Sequence, residues 1–186
     1  MTLPLPTRQY AIRRIEFDHW LLQRSDVPVH HHTVAQIKKQ EGYYIVDDAY
    51  RCRYLVGAGG THCPVYRTFF KEANPRSEVL QIAAMEDEFP MEVRDRRCHL
   101  WFFEKDLHGY AWYLPKGNGY LNIGIGGKSA LMKAQGFSIQ LHWEKFVRKL
   151  SDLSLISNSP LQPKGYVYYL RQNLRIVHLD NALIIG

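Results

Sequence analysis

The chain has 186 residues, of which 46% are hydrophobic and 23% are charged, and its formal net charge is +6. These values are typical of a folded globular protein and exclude an intrinsically disordered chain, and no apolar run is long enough to cross a bilayer. Three cysteines without scaffold spacing, Cys52, Cys63 and Cys98, exclude a disulfide-rich secreted domain and indicate reduced thiols in a cytoplasmic protein.

The predicted elements begin with a helix. Residues 16–23 carry apolar side chains at Phe17, Trp20 and Leu21, and this spacing predicts a short amphipathic helix. Short runs of β-branched and aromatic residues with polar breaks follow, and these are typical of strands. They lie at residues 27–29, 32–37, 42–46 and 50–56, and the last of them ends in a glycine-rich turn at residues 57–60.

The middle of the chain predicts a β-hairpin. Strands are predicted at residues 79–86 and 98–104, and two further apolar runs lie at residues 109–114 and 120–125. Between these two runs the sequence reads PKGNG, which is typical of a turn. The two runs therefore pair as neighbouring antiparallel strands, with aromatic side chains opposite one another.

The last third of the chain has helical periodicity at residues 128–153, with Leu141, Phe146, Val147 and Leu150 expected on one face. Two further strands are predicted at residues 165–170 and 182–186. The second of these is apolar throughout, which indicates a buried strand.

The positive charge is compatible with an anionic ligand, with nucleic acid or with the surface of an anionic membrane. The basic residues are scattered, however, and the densest patch, residues 94–97, contains an aspartate. Nucleic-acid-binding proteins usually concentrate their charge on one stripe. We therefore expect a solvated basic surface and no nucleic-acid binding, and we leave peripheral membrane contact and the oligomeric state open.

Metal and thiol chemistry are also not expected. The run His30-His31-His32 cannot bring all three side chains together, because adjacent residues of a strand point to opposite faces. No cysteine or acidic cluster completes a ligand set at a familiar spacing. Cys63 follows the glycine-rich turn, and we interpret it as a packed thiol.

Four segments together carry a family resemblance. Residues 10–18 read YAIRRIEFD and are followed by Trp20 and Leu21, and residues 53–67 read RYLVGAGGTHCPVYR. Residues 110–117 read YAWYLPKG with NIGIG at 122–126, and residues 180–186 read DNALIIG. They resemble the R-x-x-F-D, GADG, Y-x-W-x-F-P-K…N-V-G-x-G and GDAAG segments of FAD-dependent oxidoreductases of the geranylgeranyl reductase type. The wider group includes aromatic hydroxylases and flavin-dependent halogenases.

The resemblance implies an α+β fold for this chain within an α/β parent. An antiparallel substrate-domain sheet with flanking helices would accompany part of a Rossmann-like FAD-binding domain. Residues 1–67 would belong to the FAD-binding domain, residues 68–170 to the substrate-binding sheet and helix, and residues 171–186 to a truncated return to the FAD-binding domain.

The resemblance also implies site residues, and each has a structural alternative. The cofactor-binding residues would be Arg14, Gly57, Gly59, Gly60 and Gly186. The substrate-binding residues would be Tyr110, Trp112, Pro115, Lys116, Gly117, Asn122 and Gly124. The alternatives are a surface arginine, a tight turn after a strand, a hairpin with core aromatic residues, and a bulge. No catalytic residue is implied, because in this family the flavin performs the chemistry.

The sequence departs from the family in three places. It contains no GxGxxG segment, which in the family lays the pyrophosphate on a helix N-terminus. Gly59 stands where the family has the aspartate of GADG, and Gly186 precedes the position of the GD aspartate. We therefore expect the chain to be a fragment of a larger enzyme.

The function implied by the resemblance is flavin-dependent reduction of the double bonds of an isoprenoid or lipid-like substrate, with NAD(P)H as one candidate electron donor. Two alternatives stay open. One is an enzyme of the monooxygenase or halogenase type. The other is a non-enzymatic ligand-binding module made from the substrate sheet alone.

Overall fold

The structure is a computed structural model that describes residues 10–157, 160–171 and 175–185. The helices are α1 (Arg14–Ser25), α2 (Ser129–Ala134) and α3 (Ile139–Asp152). The strands are β1 (Ile37–Gln40), β2 (Tyr43–Val46), β3 (Tyr50–Cys52), β4 (Leu55–Gly57), β5 (Gln81–Pro90), β6 (His99–Phe102), β7 (Gly109–Lys116), β8 (Tyr120–Lys128), β9 (Lys164–Tyr169), β10 (His178–Leu179) and β11 (Ala182–Ile184). Together they form the mixed α+β fold that the sequence predicts.

The chain divides into two compact units. The first unit contains Met1–Pro28 and Ala83–Tyr166, and the second contains Val29–Ile82 and Val167–Gly186. The boundary falls within β5 and within β9. The predicted division at residues 67 and 170 concerns cofactor and substrate roles, and it stays a prediction.

The first unit is organised by a five-stranded sheet with the order β6-β7-β8-β5-β9. Its centre is the predicted hairpin, in which β7 and β8 pair antiparallel from Gly109 opposite Gly127 to Lys116 opposite Tyr120. Strand β6 pairs with β7 only as far as Tyr113. Pro115 therefore lies beyond the reach of β6, where its missing N–H group costs the sheet no hydrogen bond.

The core of the first unit lies on one face of this sheet. Tyr113, Leu121, Ile123 and Ile125 have no exposed surface and pack with α2 and α3. Because side chains alternate across a strand, the intervening residues of β7 and β8 lie on the opposite face. The first unit therefore has a covered face and a second face that carries the predicted substrate residues.

The second unit contains two three-stranded sheets, with the orders β1-β2-β3 and β10-β11-β4. Strands β1, β2 and β3 pair antiparallel, whereas β11 and β4 pair in parallel, with Ala182 opposite Leu55. The side chains between these sheets form a separate apolar cluster around Tyr44, Phe70 and Ile184.

Three of the predicted strands are wrong. Residues 27–29 form no strand, the strand expected at residues 32–37 begins only at Ile37, and the run at residues 50–56 is divided between β3 and β4. The last two pieces belong to different sheets, so the chain must turn between them at residues 53–54.

The helix predicted at residues 128–153 is also divided. Gly136 has a φ of +73°, which ends the first helical segment in the left-handed conformation that glycine tolerates. Ser138 then caps α3 by accepting a hydrogen bond from the Leu141 N–H at 3.2 Å. The buried face of α3 carries His142, Trp143, Phe146 and Leu150, so the expectation for Leu141 was wrong.

No helix in the described part of the chain is long and apolar enough to span a membrane.

The phase of α3 can be tested with two leucines of the same helix. Leu150 is 0% exposed and Leu141 is 36% exposed. We expect Leu150→Ala to lower the free energy of unfolding by about 2–5 kcal/mol, because it leaves a cavity in the core. The control Leu141→Ala should cost less than about 1 kcal/mol. Urea unfolding measures both, and equal losses would contradict the assigned helix face.

The buried histidine of α3 predicts acid sensitivity. Burial lowers the pKa of His142, helped by Lys145 and His108 and opposed by Asp106, and its Nε2 atom has no hydrogen-bond partner. The folded chain therefore binds fewer protons than the unfolded chain below the ordinary pKa of 6.5. Its free energy of unfolding should fall as the pH decreases through this region.

His142→Gln should reduce this loss of stability between about pH 7 and pH 5, because glutamine does not titrate. His178→Gln, at an exposed histidine, is the control. Urea unfolding at both pH values compares the two variants with the unsubstituted chain. An unchanged pH dependence in His142→Gln would contradict the prediction.

Candidate functional site

The second face of the first unit brings most of the predicted substrate residues together. Tyr110, Trp112 and Lys116 alternate with the core residues of β7, and Asn122 and Gly124 do the same in β8. Gly117 lies apart from them in the exposed turn between the strands, which closes through the left-handed residues Asn118 and Gly119. Pro115 alternates with this group along β7 and therefore faces the other side of the sheet, the side of Tyr113.

Gly124 and Trp112 are matched by packing. They lie directly opposite each other, and a Cβ atom on Gly124 would be 2.1 Å from the indole ring. The indole N–H of Trp112 also donates a hydrogen bond of 2.6 Å to Oδ1 of Asn122. The glycine is therefore required by the tryptophan, which is thereby held flat against the sheet.

The aromatic surface is wider than the sequence analysis predicted. The ring centroids of Phe102 and Tyr110 are 5.7 Å apart, and those of Tyr110 and Trp112 are 5.6 Å apart. Phe102 is 57% exposed, Tyr110 is 41% exposed, and Leu100 beside Trp112 is 50% exposed. We name the four residues Leu100, Phe102, Tyr110 and Trp112 the aromatic face.

Leu100 and Phe102 were missed in the sequence, although a signal was present. Alternation along residues 98–104 places them on one face of β6, with His99 and Trp101 on the other. Assigning the face required the register that pairs Leu100 with Trp112 and Phe102 with Tyr110. Nothing local in the sequence supplies that register.

The ammonium group of Lys116 already contacts other groups of the protein. It donates a hydrogen bond of 2.8 Å to the Ile12 carbonyl and lies 3.7 Å from a carboxylate oxygen of Glu88. The side chain is only 10% exposed. In this conformation Lys116 fastens the segment before α1 to the hairpin, and its predicted contact with a ligand stays a prediction.

Arg13, which the sequence analysis did not select, completes this network. Its guanidinium donates a hydrogen bond of 2.8 Å to Glu88 and lies 3.6 Å from the ring centroid of Tyr120. Arg14, which the family resemblance selected, is ion-paired with Asp18 one turn along the helix, and its side chain is 79% exposed. Adjacent arginines cannot be told apart by sequence spacing alone.

The predicted cofactor glycines lie in the second unit. A Cβ atom on Gly57 would be 2.6 Å from Cβ of Val65, and one on Gly59 would be 3.0 Å from Cα of Cys63. Gly60 has a φ of +62° and open space around it. Packing and turn geometry therefore account for these glycines, and their contact with a cofactor stays a prediction.

The carboxyl ends of β4 and β11 open onto a cavity of about 290 Å³. Gly57 and Gly60 line it together with Ile184 and Ile185, whereas Gly59 does not. In open sheets, ligands bind outside the carboxyl ends of parallel strands. The remaining predicted cofactor residue, Gly186, lies outside the described residues.

The histidine run and Cys63 have structural contacts. His32 lies 2.7 Å from a carboxylate oxygen of Asp47, which also accepts hydrogen bonds from the N–H groups of Ala35 and Gln36. Cys63 is buried beneath Gly57. Within the described ranges, no group of three or more histidine, cysteine or acidic side chains is placed to hold a metal ion.

No protein-family model matches the chain, and no curated protein matches it. Solved structures do match. The flavin-dependent halogenase CmlS superposes with a TM-score of 0.62 at 16% identity, over 94% of this chain and 34% of that protein. A geranylgeranyl bacteriochlorophyll reductase-like protein from Thermoplasma acidophilum gives a TM-score of 0.61 at 14% identity, over 82% of this chain and 40% of that protein.

The flavin-dependent brominase Bmp2 gives a TM-score of 0.62 at 14% identity, over 99% of this chain and 50% of that protein. The chain thus spans between 34% and 50% of the lengths of these three proteins. At these identities the similarity concerns the fold alone. It confirms that the chain shares its fold with a group that includes flavin-dependent halogenases and reductase-like proteins.

The two adjacent arginines provide a matched test of the hairpin network. We expect Arg13→Gln to speed amide hydrogen exchange at the hairpin turn by roughly 2- to 5-fold, because the contacts with Tyr120 and Glu88 are both lost. Arg14→Gln should leave that exchange unchanged, because its partner lies within α1. Hydrogen exchange followed by mass spectrometry resolves the turn, and equal effects would refute the assignment to Arg13.

Proposed function

We propose that the chain is part of an FAD-dependent oxidoreductase that reduces double bonds of an isoprenoid or lipid-like substrate. The observation that carries the proposal is the aromatic face, an exposed row of apolar side chains on a sheet whose fold is shared with flavin-dependent enzymes. Hydride transfer is the chemistry that a bound flavin supplies. The chain's own residues bind and orient the substrate.

The aromatic face suits an elongated apolar molecule. Its rings lie side by side rather than around a closed pocket, and Leu100 extends the surface next to Trp112. The indole N–H of Trp112 is already paired with Asn122, so it is not available to a polar substrate group. An apolar chain would gain free energy by covering these side chains and would leave no polar group unpaired.

The residues around the second-unit cavity suit a flavin nucleotide. The cavity lies at the carboxyl ends of a parallel strand pair. Its described lining residues include two glycines and two arginines and no carboxylate. Backbone groups of a glycine-rich turn and guanidinium groups are donors that phosphates accept. Binding of FAD by this unit, and NAD(P)H as the electron donor, are parts of the proposal.

A halogenase or monooxygenase is the second candidate, because flavin-dependent halogenases are among the structures that match. The two candidates differ in what reoxidises the reduced flavin. A reductase passes the hydride to a double bond, whereas a monooxygenase or halogenase consumes oxygen. The decisive experiment purifies the protein with its flavin, reduces it anaerobically with NADH or NADPH, and adds either an isoprenoid or oxygen with chloride or bromide.

Reoxidation by the isoprenoid, with a saturated product in mass spectrometry, supports the reductase. Reoxidation only by oxygen, with hydroxylated or halogenated product, supports the second candidate. Purification without flavin, and no flavin uptake on reconstitution, would refute both.

The aromatic face can be tested by truncating one ring. We expect Tyr110→Ala to raise the KM for an isoprenoid substrate by roughly tenfold, because the substrate loses the apolar surface of the phenol ring that it would otherwise cover. The value of kcat should change less, because Tyr110 contributes binding rather than chemistry. Tyr54→Ala, at an exposed tyrosine of the second unit, is the control. Steady-state kinetics give both constants, and an unchanged KM in Tyr110→Ala would argue against substrate binding on this face.

A further inference from the structure

The second-unit cavity is lined by two arginines, Arg76 and Arg175. Among the lining residues that the structure describes, none is an aspartate or a glutamate. The polar residues of the lining, Thr61, Asn74 and Ser77, are neutral. The electrostatic potential inside therefore favours an anion.

Arg76 is held in place by neutral groups. Its Nη1 atom donates a hydrogen bond to the Thr61 carbonyl, and its guanidinium carbon lies 4.0 Å from the ring centroid of Tyr66 and 5.0 Å from that of Tyr169. Within the part of the chain that the structure describes, no carboxylate is ion-paired with Arg76. A guanidinium has five N–H donors, so most of its capacity is not used by these contacts.

The two rings that hold Arg76 are themselves fixed. The hydroxyl of Tyr66 donates a hydrogen bond of 2.7 Å to the Asn74 carbonyl, and Gln81 donates one of 3.0 Å to the hydroxyl of Tyr169. A guanidinium held against fixed rings loses little further conformational entropy when it binds a ligand. Such preorganisation increases affinity by lowering the cost of binding.

The cavity is large enough for such an anion. Its volume of about 290 Å³ accommodates a phosphate or diphosphate group. Planar guanidinium groups bind phosphate oxygens through two parallel hydrogen bonds. The glycine-rich turn at Gly57 and Gly60 adds backbone groups at the same opening.

We infer that this cavity binds the phosphate or diphosphate group of a ligand, and that Arg76 is the residue that recognises it. Two sources of that chemistry follow if the proposed function holds: the phosphates of the flavin nucleotide and the diphosphate of an isoprenyl substrate. Recognition of the phosphate itself rests only on the cavity.

The first test titrates inorganic pyrophosphate into the purified chain by calorimetry. We expect Arg76→Gln to weaken binding by at least about tenfold, which corresponds to one charge-assisted hydrogen bond, and Arg76→Lys to weaken it less. Arg51→Gln is the matched control, because Arg51 also stacks on a tyrosine, at 3.8 Å from the ring centroid of Tyr43, and does not line the cavity. No pyrophosphate binding, or equal binding by Arg76→Gln, would overturn the inference.

A second variant separates recognition from folding, because Arg76→Gln also removes the contacts with two rings. Ser77 lines the cavity and makes no capping hydrogen bond, so Ser77→Asp adds a negative charge while leaving the Arg76 stack intact. We expect Ser77→Asp to weaken pyrophosphate binding, and Ser77→Asn, of similar size and neutral, to preserve it. Equal binding by the two Ser77 variants would count against an anion in this cavity.

The source of the phosphate is identified with paired probes. FMN is compared with riboflavin, ADP with adenosine, and an isoprenyl diphosphate with the corresponding alcohol. A phosphate-dependent gain in affinity that Arg76→Gln abolishes, for the nucleotides or for the isoprenyl compound, supports the inference and names the source. If no pair shows such a gain, the inference is refuted.

These results are independent of the enzymatic proposal. Pyrophosphate binding that needs Arg76, in a protein that never takes up flavin, would refute the oxidoreductase and leave the phosphate site standing. If the enzyme is active with bound flavin and its pyrophosphate affinity does not change when Arg76 or Ser77 is substituted, only the phosphate site is refuted.

Discussion

The register of the β7–β8 hairpin is the constraint on which the first unit depends. Because Trp112 lies opposite Gly124, every second residue of both strands faces the same side as this pair. One side therefore buries Tyr113 and Ile123 against the helices, and the other carries the aromatic face. A shift of one residue would exchange the two sides, placing Trp112 in the core and Tyr113 outside. The core and the candidate substrate surface are thus two consequences of one pairing.

The hairpin was predictable from sequence because its signals are local: a turn sequence between two apolar runs. The elements that were predicted wrongly depend on distant partners. Residues 50–56 look like one strand, but β3 pairs with β2 whereas β4 pairs with β11, more than a hundred residues later. The division of the long helix was also encoded locally, in Gly136 and Ser138. Gly136 ends the first helical segment although the apolar periodicity continues past it.

The candidate site was predictable in its aromatic part and not in its charged part. Tyr110 and Trp112 share a face because of alternation alone. Whether a cation is available to a ligand depends on which acid lies near it, and Glu88 lies 75 residues from Arg13 and 28 from Lys116 in the sequence. The second-unit cavity was harder still to predict from the sequence. Its described lining comes from residues 57–80, from residues 168–170 and 175, and from residues 184–185, which only the fold brings together.

The cations of the two units differ in what balances their charge. In the first unit Arg13 and Lys116 share Glu88, and Arg13 also pairs with Glu16. Two cations therefore face two carboxylates, and the role of this network is to hold α1 against the hairpin. In the second unit Arg76 also has a structural role, because it contacts both Tyr66 and Tyr169. A purely structural role explains the ring contacts and the hydrogen bond to Thr61. It does not explain why the described lining residues include no carboxylate. A half-buried guanidinium is normally stabilised by an acid or by an anion. Since the described residues of the cavity lining include no acid, the physical chemistry of the site favours an anion from the ligand.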